Sequence, residues 1–441
     1  MSRRARVFYA AVAMLIALTI MLGALIFAGG LPAAGDDASA SRVLAFPGPG
    51  QRDALRERGA YLARAGDCMA CHTVRGGAPN AGGRIIRTAF GELVTPNITP
   101  DLATGIGSWS ADEFWRALHH GKGKDGRLLY PAFPYTSYTR ITRDDADALY
   151  AWLRSVPAVR QPNLPHRLRF PYNQQWALAA WRLLYFRPAE YRVDTAQTLA
   201  WNRGAYLVQG LGHCSACHSP RNWLGAESDR LSGGMLEGLG WYAPALTFGP
   251  GAGAPAWSQH DLAALLKTGV ATPTVASGPM AEVVRASLQH LDDADIGAMA
   301  LYLRSLPAAA APPPHQRDTG TQAQAFLAAG SRLYDRHCAT CHGDNGAGQA
   351  PAYPPLAGNR ALSGSLDHAA TVNSIRIVLN GGFAPSTAGN PRPYGMPPFG
   401  PVLSDTEVAQ LLSYLRSAWG NHGAPVTATE VNRYRAVPLD Q

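Results

Sequence analysis

A chain of 441 residues has room for roughly three domains. Only 16% of its residues are charged, against about 25% in an ordinary soluble domain, while 46 glycines and 34 prolines suit domains built with shaped loops. The formal net charge of +8 fits a nucleic-acid partner only if nothing acidic is bound, and the motifs below decide that point.

The chain opens with Arg3, Arg4 and Arg6, followed by an uncharged apolar run from Val7 to Ala28. About 20 apolar residues span a bilayer, whereas the core of a cleavable signal is roughly 7–15, so an uncleaved transmembrane helix is preferred for residues 1–30. Pro32-Ala33-Ala34 and Ala38-Ser39-Ala40 keep a long signal peptide open. In both cases the arginines hold the amino terminus in the cytoplasm, and the bulk of the chain lies on the periplasmic side of the inner membrane.

Three units of similar size follow, at 51–157, 198–307 and 325–419. Helical stretches from Arg52 to Ala65, Trp201 to Val208 and Gln322 to Asp335 lead into Cys68-Met69-Ala70-Cys71-His72, Cys214-Ser215-Ala216-Cys217-His218 and Cys338-Ala339-Thr340-Cys341-His342. Each unit closes with a second helix, headed by Thr142-x-x-Asp145, Asp292-x-x-Asp295 or Ser404-x-x-Glu407, signals of the capping-box type. The closing helices end on one phrase, an aromatic followed by Leu-Arg-Ser, at Trp152–Ser155, Tyr302–Ser305 and Tyr414–Ser417. Residues 158–197 read as an ordered connector whose aromatics, from Trp176 to Phe186, pack two units together. Residues 308–324 are a Pro/Ala-rich spacer. The tail, 420–441, has no apolar periodicity and reads as a surface strap.

Two thiols separated by two residues can add to the two vinyl groups of one porphyrin, and the adjacent histidine then ligates the iron. All six cysteines of the chain sit in these three motifs: Cys68, Cys71, Cys214, Cys217, Cys338 and Cys341. A zinc ribbon would bring its cysteine pairs within roughly 15–20 residues and needs no histidine after every second cysteine. A redox disulfide would want one such pair on a βαβ pattern. The motifs therefore predict three haem c groups with His72, His218 and His342 as proximal ligands. Each haem carries two propionates, so three would lower +8 to about +2 and remove nucleic acid as a partner.

A haem that carries electrons usually has a second protein ligand, and methionine raises its potential. Met396, in Tyr394-Gly395-Met396-Pro397-Pro398, and Met280, in Gly278-Pro279-Met280, stand at matching places before the closing helices of units three and two. Met235 competes for the second haem but lies close to Cys217. Unit one has Phe133 where methionine is expected, and Met69 is held inside the haem-binding turn. His119 and His120 are its candidates for a bis-histidine haem; otherwise that site is open.

The chain resembles the triple-haem cytochrome c subunits of membrane-bound bacterial dehydrogenases. The resemblance rests on the three motifs, on Thr95-Pro96-Asn97-Ile98-Thr99-Pro100 with Thr104-Gly105-Ile106-Gly107, on Tyr130-Pro131-Ala132-x-Pro134-Tyr135, on Gly212-His213-Cys214 with Pro220-Arg221-Asn222, and on Gly278 to Val284. It implies an all-α fold of three tandem cytochrome c domains behind the membrane segment. It also implies electron transfer from a catalytic subunit of molybdenum-hydroxylase, flavin or pyrroloquinoline-quinone type to ubiquinone or a terminal oxidase. Phe133 departs from many alcohol-dehydrogenase partners and brings the chain nearer the molybdenum-hydroxylase partners. The alternative is a haem enzyme, a peroxidase or small-molecule reductase, using an open first haem.

Overall fold

The computed structural model describes residues 49–437 apart from 229, 248–256, 273, 308–317 and 364–367. The stretch from Val7 to Ala28, and with it the choice between anchor and signal peptide, lies outside the described residues. Among these, no helix is long and apolar enough to cross a membrane.

Unit one runs α1 (Pro49–Ala65), α2 (Cys68–His72), β1 (Ile85–Thr88), β2 (Gly91–Val94), α3 (Ala111–His120), the one-turn α4 (Tyr135–Tyr138) and α5 (Arg143–Leu153). The connector holds β3 (Arg167–Leu168) and α6 (Gln175–Tyr185). Unit two follows with α7 (Leu199–Gln209), α8 (Ser215–His218), β4 (Gly234–Leu236), β5 (Trp241–Ala243), α9 (Gln259–Thr268), α10 (Pro279–Ala286) and α11 (Asp293–Ser305). Unit three comprises α12 (Thr321–His337), α13 (Ala339–His342), α14 (Arg360–Ser363), α15 (His368–Asn380) and α16 (Asp405–Ser417), and the tail adds α17 (Ala428–Arg435).

The frame is helix-rich, but not purely helical. β1, β2 and β3 form a small antiparallel sheet, and β4 pairs with β5, because loops drawn across a core must still satisfy their backbone groups.

The closing helices begin where their caps dictate. Thr142, Asp292 and Ser404 are the N-caps, and each side chain accepts from the backbone N–H three residues on. The leucine of the repeated closing phrase is buried in all three units, as Leu153, Leu303 and Leu415. The serine ends the helix: Ser155, Ser305 and Ser417 hydroxyls donate back to the carbonyls of Trp152, Tyr302 and Tyr414 at 2.7, 2.7 and 3.0 Å.

First and closing helices cross at a glycine in every unit. A Cβ on Gly59, Gly204 or Gly330 would lie 2.0, 2.0 or 2.1 Å from the carbonyl oxygen of Ala148, Ala298 or Gln410. Around each crossing the buried apolar side chains gather, with Leu62, Leu149 and Ile141 in one cluster, Leu207, Met299 and Leu303 in the next, and Tyr334, Leu411 and Leu412 in the last. Burying one such leucine contributes about 1.5–3 kcal/mol.

The tail is more than a strap. Val426 and Val431 are buried in the cluster of unit three, and Arg435 donates to Asp405 at 2.6 Å and to the Gly400 carbonyl. Tyr434 packs on the same cluster, and three apolar contacts, of which only Val431 and Tyr434 share a helical spacing, make too short a pattern for the sequence to show.

Candidate haem-binding sites

Cys68, Cys71 and His72 stand at i, i+3 and i+4 of one helical turn, so the two sulfurs and the imidazole share a face; the other two motifs repeat this. The imidazoles are oriented alike. Nδ1 of His72, His218 and His342 lies 2.8, 2.6 and 3.0 Å from the carbonyl oxygens of Pro96, Pro244 and Pro354. A ring that donates from Nδ1 keeps Nε2 unprotonated and turned toward a metal. Burial pulls all three imidazoles below their ordinary pKa and so favours the neutral form that a metal-ligating imidazole needs.

The proline strand reaches the histidine because a glycine lets it. The carbonyls of His72, His218 and His342 accept from Gly82, Gly233 and Gly348 N–H groups at 2.8, 2.8 and 2.9 Å. These glycines have φ of 75°, 93° and 66°, and a Cβ on Gly82 or Gly348 would strike the backbone of Pro96 or Pro354 within 3 Å. In unit one Asn97 fixes that strand. Its Nδ2 donates to Val159 O at 2.8 Å and its Oδ1 accepts from Thr99 N at 2.9 Å.

Burial pushes the thiols of Cys68 and Cys214 up to about 12, and those of Cys71 and Cys338 to about 11. Zinc binding and disulfide exchange need thiolates, which these apolar surroundings oppose. All six cysteines are unpaired, and among the described residues no group of three or more metal-ligating side chains is gathered. Cys338 is buried, Cys68, Cys71 and Cys214 are half-buried, and Cys217 and Cys341 are exposed, and each thiol pair beside an oriented imidazole fits a porphyrin joined by two thioether bonds.

The distal candidates fall as follows. Met280 is the second residue of α10, led in by Gly278 at φ 56° and Pro279, and packs on the cluster of unit two. Met396 lies in a two-residue strand paired with Gly382–Phe383 and packs on the cluster of unit three. Met235 is in β4, paired with Tyr242. Phe133 packs on the cluster of unit one, as Cys68 does, with its ring 5.5 Å from Tyr138. His119 is buried at the end of α3, stacked on Trp115 at 4.4 Å and edge-on to His120 at 4.6 Å. The His120 carbonyl accepts from Arg182 of the connector at 2.7 Å.

The connector touches both of its neighbours. Phe186 is buried against Tyr135 of unit one, ring centroids 4.8 Å apart, and Trp181 Nε1 donates to Leu224 O of unit two at 2.9 Å.

Sequence reasoning missed Pro96, Pro244 and Pro354 as orienting groups. A proline downstream of every motif was the available signal, but its carbonyl, not its ring, holds the histidine.

A cytochrome c family model matches residues 56–157 and 327–419. The chain is 44% identical to a nicotinate dehydrogenase subunit of Pseudomonas putida over 84% of its own length, yet it spans only 31% of that protein. It is 40% identical to the gluconate 2-dehydrogenase cytochrome c subunit of Pantoea cypripedii, covering 87% of this chain and 90% of that one. With the cytochrome c subunit of the quinone alcohol dehydrogenase of Komagataeibacter europaeus it shares 36% identity, over 88% and 85%.

Proposed function

Since the chain belongs to the cytochrome c subunits of membrane-bound bacterial dehydrogenases, we propose that it relays electrons from a catalytic subunit along three covalently bound haems to ubiquinone or a terminal oxidase. The observation that carries this reading is the threefold recurrence of one local geometry: motif histidine, proline carbonyl on Nδ1, and left-handed glycine beneath. Three such sites in one polypeptide make a wire, whereas a diffusing carrier needs one. In this reading the chain is three tandem cytochrome c domains, at 51–157, 198–307 and 325–419, tethered to the periplasmic face of the inner membrane by residues 1–30. The partner is a molybdenum-hydroxylase, flavin or pyrroloquinoline-quinone subunit.

The test is co-purification. Membranes washed with high salt are expected to retain the chain, since an apolar span resists salt and a peripheral contact does not. Detergent extraction should then bring a large catalytic subunit with it, and that subunit's substrate should reduce the haems only while it is present. Haem reduction by substrate in the purified chain alone would overturn the relay and make this protein the enzyme.

We assign His72, His218 and His342 as proximal ligands and Met280 and Met396 as distal ones, leaving the first haem without methionine and lowest in potential. Ferric spectra are expected to show the sulfur-to-iron charge-transfer band for two haems per chain. Met280→Ala and Met396→Ala should each remove about half of that band and lower one potential, because the thioether favours ferrous iron. His119 and His120 are the histidines kept for the first haem. An unchanged first-haem spectrum when both are replaced removes them.

A further inference from the structure

Units one and two share a phrase that unit three lacks. Arg58-Gly59-Ala60-Tyr61-Leu62 and Arg203-Gly204-Ala205-Tyr206-Leu207 occupy the same place in α1 and α7, whereas Arg332 stands two residues after Gly330 in α12. The arginine of each phrase stays at home and the tyrosine crosses over. Arg58 donates to Asp145 of its own closing helix at 2.8 and 2.5 Å, and the second oxygen of Asp145 accepts from Tyr206 of unit two at 2.6 Å. Reciprocally, Arg203 donates to Asp295 at 2.7 and 2.6 Å, and Tyr61 of unit one donates to Asp295 at 2.6 Å.

Each tyrosine oxygen also accepts the backbone N–H of the other unit's N-cap residue, Thr142 or Asp292, at 3.2 Å. Core residues are exchanged in the same sense. Ala65 lies in the cluster of unit two and Leu211 in that of unit one. This is an isologous contact within one polypeptide, the same patch used twice about a local two-fold. Unit three has neither half, for the third residue of its closing helix is Glu407, whose carboxylate caps its own helix start at Ser404.

The contact brings the two haem-bearing turns together. Tyr138 of unit one donates to Gly66 O, two residues before Cys68, and its ring stacks on His213, the residue before Cys214, at 5.7 Å and 16°. Ser137 and Ser215 oxygens are 3.4 Å apart, and Arg84, which also donates to Ala70 O inside the first motif, pairs with Glu282 at 3.2 Å.

We propose that Tyr61 and Tyr206 are positioning residues that lock units one and two into a single two-haem body. Haems held at Cys68/Cys71 and at Cys214/Cys217 would be linked through the contact of Tyr138 with His213, which joins the two motif turns, and would exchange an electron directly. In that step one ferrous iron is oxidised and the other, ferric, is reduced, with no bond made or broken. The third haem belongs to a unit seated by different contacts, which meets unit two through Asn373 on the Tyr242 backbone at 2.9 and 2.7 Å, Arg376 over Trp241 at 4.8 Å, and the hydrogen bonds of Thr387 to Thr268 O at 3.0 Å and of Ala388 N to Gln289 at 3.2 Å. This rests on the first two motifs being haem sites, and not on any dehydrogenase partner.

The experiment uses the full haem-loaded chain without a partner. Tyr61→Phe and Tyr206→Phe remove only the two hydroxyls. Tyr61→Phe/Tyr206→Phe is expected to slow photoinitiated electron equilibration between the first two haems by about tenfold or more, since the rate scales with the docked fraction. Dipolar measurements should show the spacing of these haems broadened, and each single variant should lie between. The third haem's potential and its rate of equilibration with the second should not move. Wild-type equilibration and spacing in the double variant would overturn the lock, and so would equal slowing of all three haems. Should the double variant fail to load haem, the single variants decide, with wild-type rates in both counting against the proposal. Failure of the dehydrogenase reading would appear only in co-purification, so the two outcomes are separable.

Discussion

Replacing Cys338 and Cys341 together by alanine is expected to lower the haem count from three to two, both in the denatured mass and in haemochrome absorbance. The same is expected for Cys68 with Cys71 and for Cys214 with Cys217, each pair being the proposed double attachment of one haem. Loss should be local in chemistry and wider in structure. In unit three Cys338 is itself part of the buried cluster with Leu333, Tyr334 and Leu415, so loss of a haem anchored there would leave a void beside these side chains. The third unit is therefore expected to melt separately and early in this variant. A wild-type mass equal to the bare chain plus zinc would end the haem assignment.

Gly330→Val is expected to cost about 3 kcal/mol or more and to unfold the third unit at working temperature, since overpacking a tight crossing forces backbone apart. A Cβ at this position would sit 2.1 Å from Gln410 O and 2.8 Å from the Tyr414 Cβ, and neither is the far end of a flexible side chain. Gly59→Val and Gly204→Val should act alike on units one and two. Gly297, in the middle of α11, is the control, for a Cβ there meets nothing within 4 Å. Gly297→Ala should stabilise the helix by up to about 1 kcal/mol. Melting followed separately at the haem and at the backbone measures both. Equal effects of Gly330→Val and Gly297→Ala would show that the crossing is looser than described.

Much of the site was legible because its chemistry is local. A pair of thiols and a histidine within one turn needs no long-range information, and neither do the N-caps at Thr142, Asp292 and Ser404, although the reciprocal capping box closes only at Ser404–Glu407, because Asp145 and Asp295 are taken by arginine and tyrosine. The repeated Leu-Arg-Ser phrase likewise acts within its own helix end, where the serine hydroxyl reaches a carbonyl three residues back.

Sequence by itself thus determined that two thiols and an imidazole share one helical turn three times over, the helix starts and the recurrence of the unit, all interactions spanning one or two turns. Tertiary structure alone decided which carbonyl orients each histidine, since the prolines lie 24, 26 and 12 residues away and are brought back only by the closing of a loop over a glycine. It also decided that the tail packs into the third core and that the tyrosines of α1 and α7 serve the opposite unit. Tyr61 and Asp295 are 234 residues apart, so no local pattern records a contact that exists only after two folded surfaces of matching shape have met.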